Sequence, residues 1–419
     1  MKKSTAYILL IVLMVVTIFV ACHQQPKTNS PEVIESDTYA DFFGSVAKAE
    51  GNLSPEVKAA QRDFALRMLK AVHGENPEEN VVISAQSIST ALGMTYMGAQ
   101  GQTEAEMAKV LGLEGLDKVA VASGYKQMAE AMTRSGDSKV KNANAIWVDE
   151  GFPLVKGFVD VMKGSFQAPV NSMDLQSDKA VPTINGWIKD NTDSMIDKLF
   201  TEPFTQDTSV VLCNAIIFDG QWTTPFESNR IFDRTFHGKE DQAVRIMYQD
   251  DDYMGKDGEG YRAVMIPYGE DERFQMVGVL PEGDMLSFLD DLDAETYASF
   301  FEGYEEQSDV TVGIPVMTLD EKIDLKETLS AMGMPTAFTQ EADFAAMGDD
   351  LFIGKVLHRA KIEMDEKGTK AAAISAIEAP ACAEPPEDPW EFIADRPFLF
   401  FIYDSENDLV LFSAKVLEV

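Results

Sequence analysis

Nucleophilic or metal chemistry in this chain would have to start from few residues. The cysteines are Cys22, Cys213 and Cys382, and the histidines are His23, His73, His237 and His358. No cysteine pair has metal-ligand spacing and no HExxH segment occurs, so the pattern supports no protein-held metal. Three widely spaced thiols do not make a disulfide framework either. Cys382 with His358 is the pairing that thiol catalysis would need. Such a site requires a pre-organised base and oxyanion donors, whereas Cys382 lies in a Pro/Glu-rich stretch with no core of its own. GxSxG, Walker and Rossmann signatures are missing. Gly255, Gly258 and Gly260 come nearest to a phosphate loop, but their spacing is wrong and Asp257 and Glu259 would repel phosphate. The chain reads as a non-enzyme, with no cofactor expected.

The elements that would position any site belong to an ordinary globular composition. Of 419 residues, 45% are hydrophobic and 25% charged, enough for a sizeable core. A net charge of -35 repels nucleic acid and anionic head groups, so neither is an expected partner. At the N-terminus, Lys2 and Lys3 precede an apolar run from Tyr7 to Val20, followed by Ala21-Cys22. The run, about fourteen residues, is short for a membrane span. Its ending resembles a bacterial lipobox. Residues 1–21 would then be a signal peptide, Cys22 the lipidated residue and 22–44 a flexible tether, with a single domain over 45–419. Ordinary secretion with an incidental cysteine is the other reading.

Local patterns suggest a mixture of helices and strands without regular alternation, an α+β class. Gln61 to Leu69 has apolar residues at helical spacing. Ser84 heads a core helix reaching Met97, after the short strand Val81–Ile83. Thr103 with Glu106 has capping-box spacing, and Ile184 to Phe200 reads as one helix. Ser209 to Trp222 is apolar and β-rich with a break at Asp219-Gly220. Two β-rich segments, Pro397 to Tyr403 and Leu409 to Val416, close the chain.

Residues Ile362 to Pro397 carry the most information. A strand ending at Met364 is followed by the polar turn Asp365-Glu366-Lys367-Gly368-Thr369 and an Ala-rich run. By propensity alone that run is a helix. With a period of two, Thr369, Ala371, Ala373, Ser375 and Ile377 share one face, and Lys370, Ala372, Ile374, Ala376 and Glu378 the other. The first face is small and uncharged, and proline is absent until Pro380. Such a segment suits the crowded centre of a sheet, where proline is excluded.

That segment resembles the reactive-centre loop of the serpins, with Glu366 to Ala373 similar to the hinge of inhibitory members. The resemblance runs from about Gln61 to Val419. Asn80 to Ser84 with Ser87-Ile88-Ser89, Gly98 to Leu113, Asn214 to Phe226, Asp324 to Phe338 and Ala394 to Phe400 are similar to family segments, in the family's order. The resemblance implies one domain with three β-sheets, about nine helices and an exposed loop at about 366–390. It implies a suicide inhibitor whose cleaved loop enters the main sheet as a new strand and traps the acyl-enzyme.

By the same resemblance Gly368 is the pivot, and Thr369, Ala371, Ala372 and Ala373 are the first inserted residues. Ser84, Asn214 and His358 form a hydrogen-bonded shutter, and Trp222 lies at the breach. Satisfied core polar groups and a plain core tryptophan are the alternative readings. Family spacing puts the scissile bond at Cys382-Ala383, with Ala381-Cys382 second. No Lys or Arg occurs from Ala371 to Asp395, so an elastase-like peptidase is the expected partner and a trypsin-like one is not. Papain-like cysteine peptidases are possible further targets. The protein is expected to be a monomer held at a bacterial envelope membrane through Cys22. A non-inhibitory serpin, cleaved as a simple substrate, is the competing function.

Overall fold

The computed structural model describes residues 30–48, 53–133, 138–206, 208–369 and 390–419. Among them are ten α-helices and three sheets, the α+β arrangement expected. The six-stranded main sheet is built around Val210–Gln221, whose residues are nearly all buried. An apolar run without polar alternation is what a strand covered on both faces requires. It pairs antiparallel with Lys139–Asp149 and parallel with Ile353–Asp365. Met317–Asp324 and Val170–Met173 form the outer strands.

Two cores flank this sheet. On one face, Trp147, Ile184, Ile188, Leu199, Phe200, Cys213 and Leu357 cluster under the helix Ala180–Asn191. On the other, the larger core joins the main sheet to a nine-stranded sheet that includes Tyr261–Tyr268, Phe274–Pro281, Phe398–Asp404 and Leu409–Val416. Burial of this kind contributes about 1.5–3 kcal/mol for each large apolar side chain.

Several local expectations change in the folded chain. The helix expected over 184–200 ends at Asn191, because Asp193 and Ser194 adopt left-handed backbone (φ 48° and 63°). The segment beyond folds back, and Asn185 fixes it by accepting from the Leu199 and Phe200 amides and donating to the Phe200 carbonyl. Thr103 caps nothing: Gln100 is the N-cap without a side-chain bond, and Thr103 Oγ1 instead accepts from Asp343 N at 2.9 Å. Val210–Gln221 runs through the expected break at Asp219-Gly220. The stretch 22–44 is not all tether. A helix spans Asp37–Lys48, and Phe43 and Val46 bury against the body, with the Phe43 ring 6.3 Å from that of Phe158. Val33–Ile34 pairs with Leu154–Val155. Cys22 lies outside the described residues.

Candidate functional site

The Ile353–Asp365 strand turns at Glu366-Lys367 and comes back as the two-residue strand Gly368–Thr369. The returning pair is hydrogen-bonded in register on both sides. Thr369 lies opposite Met364 and Gly220, and Gly368 opposite Asp365 and Gln221. Below this wedge the flanking strands pair directly with each other, from Lys361 with Ile217 down to Ile353 with Val210. The main sheet therefore contains a fork whose upper end is already filled.

Gly368 is required by space and backbone. Its φ is +152°, and a Cβ there would sit 2.1 Å from the Gly220 carbonyl oxygen and 2.7 Å from Gln221 Cα. No side chain fits without moving backbone. The turn is held by the residues just past the central strand. Trp222 donates from its backbone to Lys367 O (3.0 Å) and from Nε1 to Asp365 O (2.9 Å), and Phe226 N donates to Glu366 O (2.8 Å). Glu366 thus contributes its backbone carbonyl. Trp222, 2% exposed, stacks on Tyr268 with ring centroids 4.4 Å apart. The Tyr268 hydroxyl meets Thr369 Oγ1 at 2.8 Å, and complete burial raises its pKa. Tyr268 escaped the sequence reading, since nothing local in a strand-ending tyrosine signals a partner about a hundred residues on.

A second polar cluster sits halfway down the fork. Asn214 and His358 are direct neighbours in the parallel pairing. The Ser84 backbone amide donates to His358 Nε2 at 3.0 Å, so Nε2 carries the lone pair. His358 Nδ1 then donates to Asn214 Oδ1. Asn214 Nδ2 donates in turn to Ser87 Oγ at 2.6 Å and Asn144 Oδ1 at 2.8 Å. Ser84, Asn214 and His358 are in one chain of hydrogen bonds, but the Ser84 hydroxyl is not in it, because it caps the following helix at Ser87 N. Ser87 supplies the bridging hydroxyl. Asn144, which sequence reading did not single out, closes the chain from the third strand. Burial pushes the His358 pKa down to about 3, so the ring is neutral.

These two clusters connect strands that belong to different parts of the sheet. The polar links in both are hydrogen bonds, and at the top the Trp222–Tyr268 stacking adds to them. The remaining sequence-derived positions, Ala371, Ala372, Ala373, Cys382 and Ala383, lie outside the described residues.

A serpin (serine protease inhibitor) family profile matches residues 59–419. Mouse neuroserpin is 31% identical over 375 residues, covering 85% of this chain and 90% of the mouse protein. Bovine leukocyte elastase inhibitor is 31% identical over 86% of this chain and 99% of its own length. Among solved structures, the thermophilic serpin tengpin in its native state superposes with a TM-score of 0.82 at 27% identity, over 88% of this chain and 96% of tengpin.

Proposed function

This chain belongs to the serpin family, and from that premise we propose that it inhibits serine endopeptidases as a suicide substrate. The observation that carries the reading is the fork. Gly368–Thr369 is seated between two strands that are parallel partners just below it. A longer inserted strand would replace one parallel ladder with two antiparallel ones. Antiparallel pairing is slightly more stable per residue and the number of ladder bonds rises, so insertion runs downhill. The uncleaved protein is then held by a kinetic barrier rather than by its energy minimum.

In this reading a peptidase attacks the loop at Cys382-Ala383, forms its acyl-enzyme and is carried away as residues from Lys370 onward enter the fork. The small uncharged side chain of Cys382 suits a shallow, elastase-like pocket. The bovine relative carries "leukocyte elastase inhibitor" as its name, which agrees with that preference. Lipid on Cys22 would hold the inhibitor at an envelope membrane. Oxidation of the Cys382 thiol would enlarge the bait and weaken inhibition.

Brief incubation with an elastase-like peptidase, then a denaturing gel and mass spectrometry, tests this. A denaturant-resistant complex with a released peptide beginning at Ala383 is the expected result. Loop cleavage that leaves every peptidase of a panel active would favour the non-inhibitory alternative.

A further inference from the structure

The last strand of the chain buries a charge. Lys415 lies in Leu409–Val416, between Val81 of one neighbouring strand and Leu399 of the other, and is fully buried. Burying an ammonium is costly unless its protons are hydrogen-bonded. Lys415 Nζ donates to His73 Nδ1 at 3.0 Å, Asn76 O at 3.0 Å and Pro77 O at 2.9 Å. Both carbonyls belong to the connector that leaves the helix Pro55–Glu75 and leads into Val81–Ile83. Asn80, also in the connector, accepts from the Leu417 and Glu418 amides and donates to Glu418 O. Asn80 and Lys415 thus fasten the connector to the C-terminal strand, and only the Lys415 contact involves titratable groups. Val81–Ile83 then delivers the Ser84 amide to His358.

His73, 3% exposed, is the sensitive partner. An ammonium can only donate, so Nδ1 presents its lone pair and the ring proton sits on Nε2. Nε2 faces Asp290 Oδ1 at 3.6 Å. A second proton on the ring would set an N–H against the ammonium and turn an acceptor into a like charge. We propose that Lys415 and His73 form a buried acid-sensitive tie, in which a neutral ring lets the C-terminal strand hold the connector and a protonated ring releases it. The surrounding charges favour the neutral ring at ordinary pH. Lys70, on the same helix, adds positive charge and is itself held by the Asp290 and Leu292 carbonyls. Asp290, at the end of the helix Met285–Asp291, favours protonation, but its carboxylate is mostly exposed and therefore screened. Glu79 in the connector supports the Lys415 charge and raises the pKa of Glu321 across from it, while Glu78 pairs outward with Lys239. Burial first, and then Lys415, hold His73 below the usual imidazole range. Its contribution to stability is complete above about pH 6.5 and is lost as the pH falls towards the folded value. Burial lowers Lys415 to about 8, so its own slope lies between there and about 10.4, and the acid range is left to His73.

Nitrogen-15 NMR of the histidines tests the arrangement, with His73 assigned through His73→Gln. At pH 7.5 the ring should be the Nε2–H tautomer. Lys415→Met keeps the side-chain length, removes the charge and should raise the His73 titration midpoint by about one pH unit. A Nδ1–H tautomer, or a midpoint that Lys415→Met leaves in place, overturns the proposal. Hydrogen exchange gives a readout that leaves Lys415 untouched. By reciprocity, a coupling of about one pH unit is an approximately tenfold weakening of the Lys415 contacts once His73 is protonated. Protection of 76–83 and 414–419, corrected for the intrinsic rate, should therefore fall about tenfold in wild type between pH 7 and 5. It should hold steady in His73→Gln, whose side-chain carbonyl still accepts from the ammonium. Equal loss of protection in both proteins would show that His73 is not the trigger.

Discussion

The upper and middle parts of the fork are closed by different physics. At the top, contacts run from side chains and amides to backbone carbonyls, Trp222 to Asp365 and Lys367, Phe226 to Glu366, around a glycine with no space for a Cβ. Halfway down, closure depends on a buried side-chain chain, Ser87, Asn144, Asn214 and His358, with one titratable member. The top is therefore sensitive to shape and insensitive to pH. The middle tolerates little change in hydrogen-bonding capacity and responds to acid. The fork is thus closed at two points that can be altered independently.

The comparison breaks most sharply at Gly368. Gly368→Val would meet Gly220 O and Gln221 Cα and expel the returning strand, so we expect a loss of about 3 kcal/mol or more. Urea unfolding and new proteolytic cutting near Thr369 measure it, and an unchanged urea midpoint would contradict the close approach. Asn214→Ala comes next. It strands the His358 Nδ1 proton in the core and removes the Asn214 bonds to Ser87 and Asn144, costing about 2–3 kcal/mol.

The acid response distinguishes the two regions directly. His358 has a folded pKa near 3, below the ordinary imidazole value of about 6.5. Its contribution is fully present above that ordinary value and is lost as pH falls towards the folded one, at up to about 1.4 kcal/mol per pH unit. Urea midpoints from pH 7 to 4 should fall in wild type, and the slope should flatten in His358→Gln but not in Trp222→Phe. Trp222→Phe itself should cost about 1 kcal/mol, for one hydrogen bond lost with most of the stacking kept.

Much of this was readable along the chain, for identifiable reasons. Gly368 after a polar turn, and a proline-free alternating segment beyond it, are local signals. So are Ser84 at a helix start and the apolar run Val210–Phe218. Asn144 was not legible, because Lys141 and Asn142 in the same strand are polar too and nothing local marks Asn144 as the residue that meets Asn214. Thr103 misled because its spacing to Glu106 imitates a capping box while both side chains serve distant partners, Asp343 and Thr336.

Sequence by itself determined the class of elements and the glycine that follows the polar turn, since composition, turn chemistry and period are properties of neighbouring residues. Tertiary structure alone decided which strands flank Gly368–Thr369, that Ser84 acts through its amide while Ser87 supplies the hydroxyl, and that Tyr268 meets Thr369. Those are contacts between segments far apart in the chain, and hydrogen-bond partners of buried groups are chosen by packing rather than by local pattern.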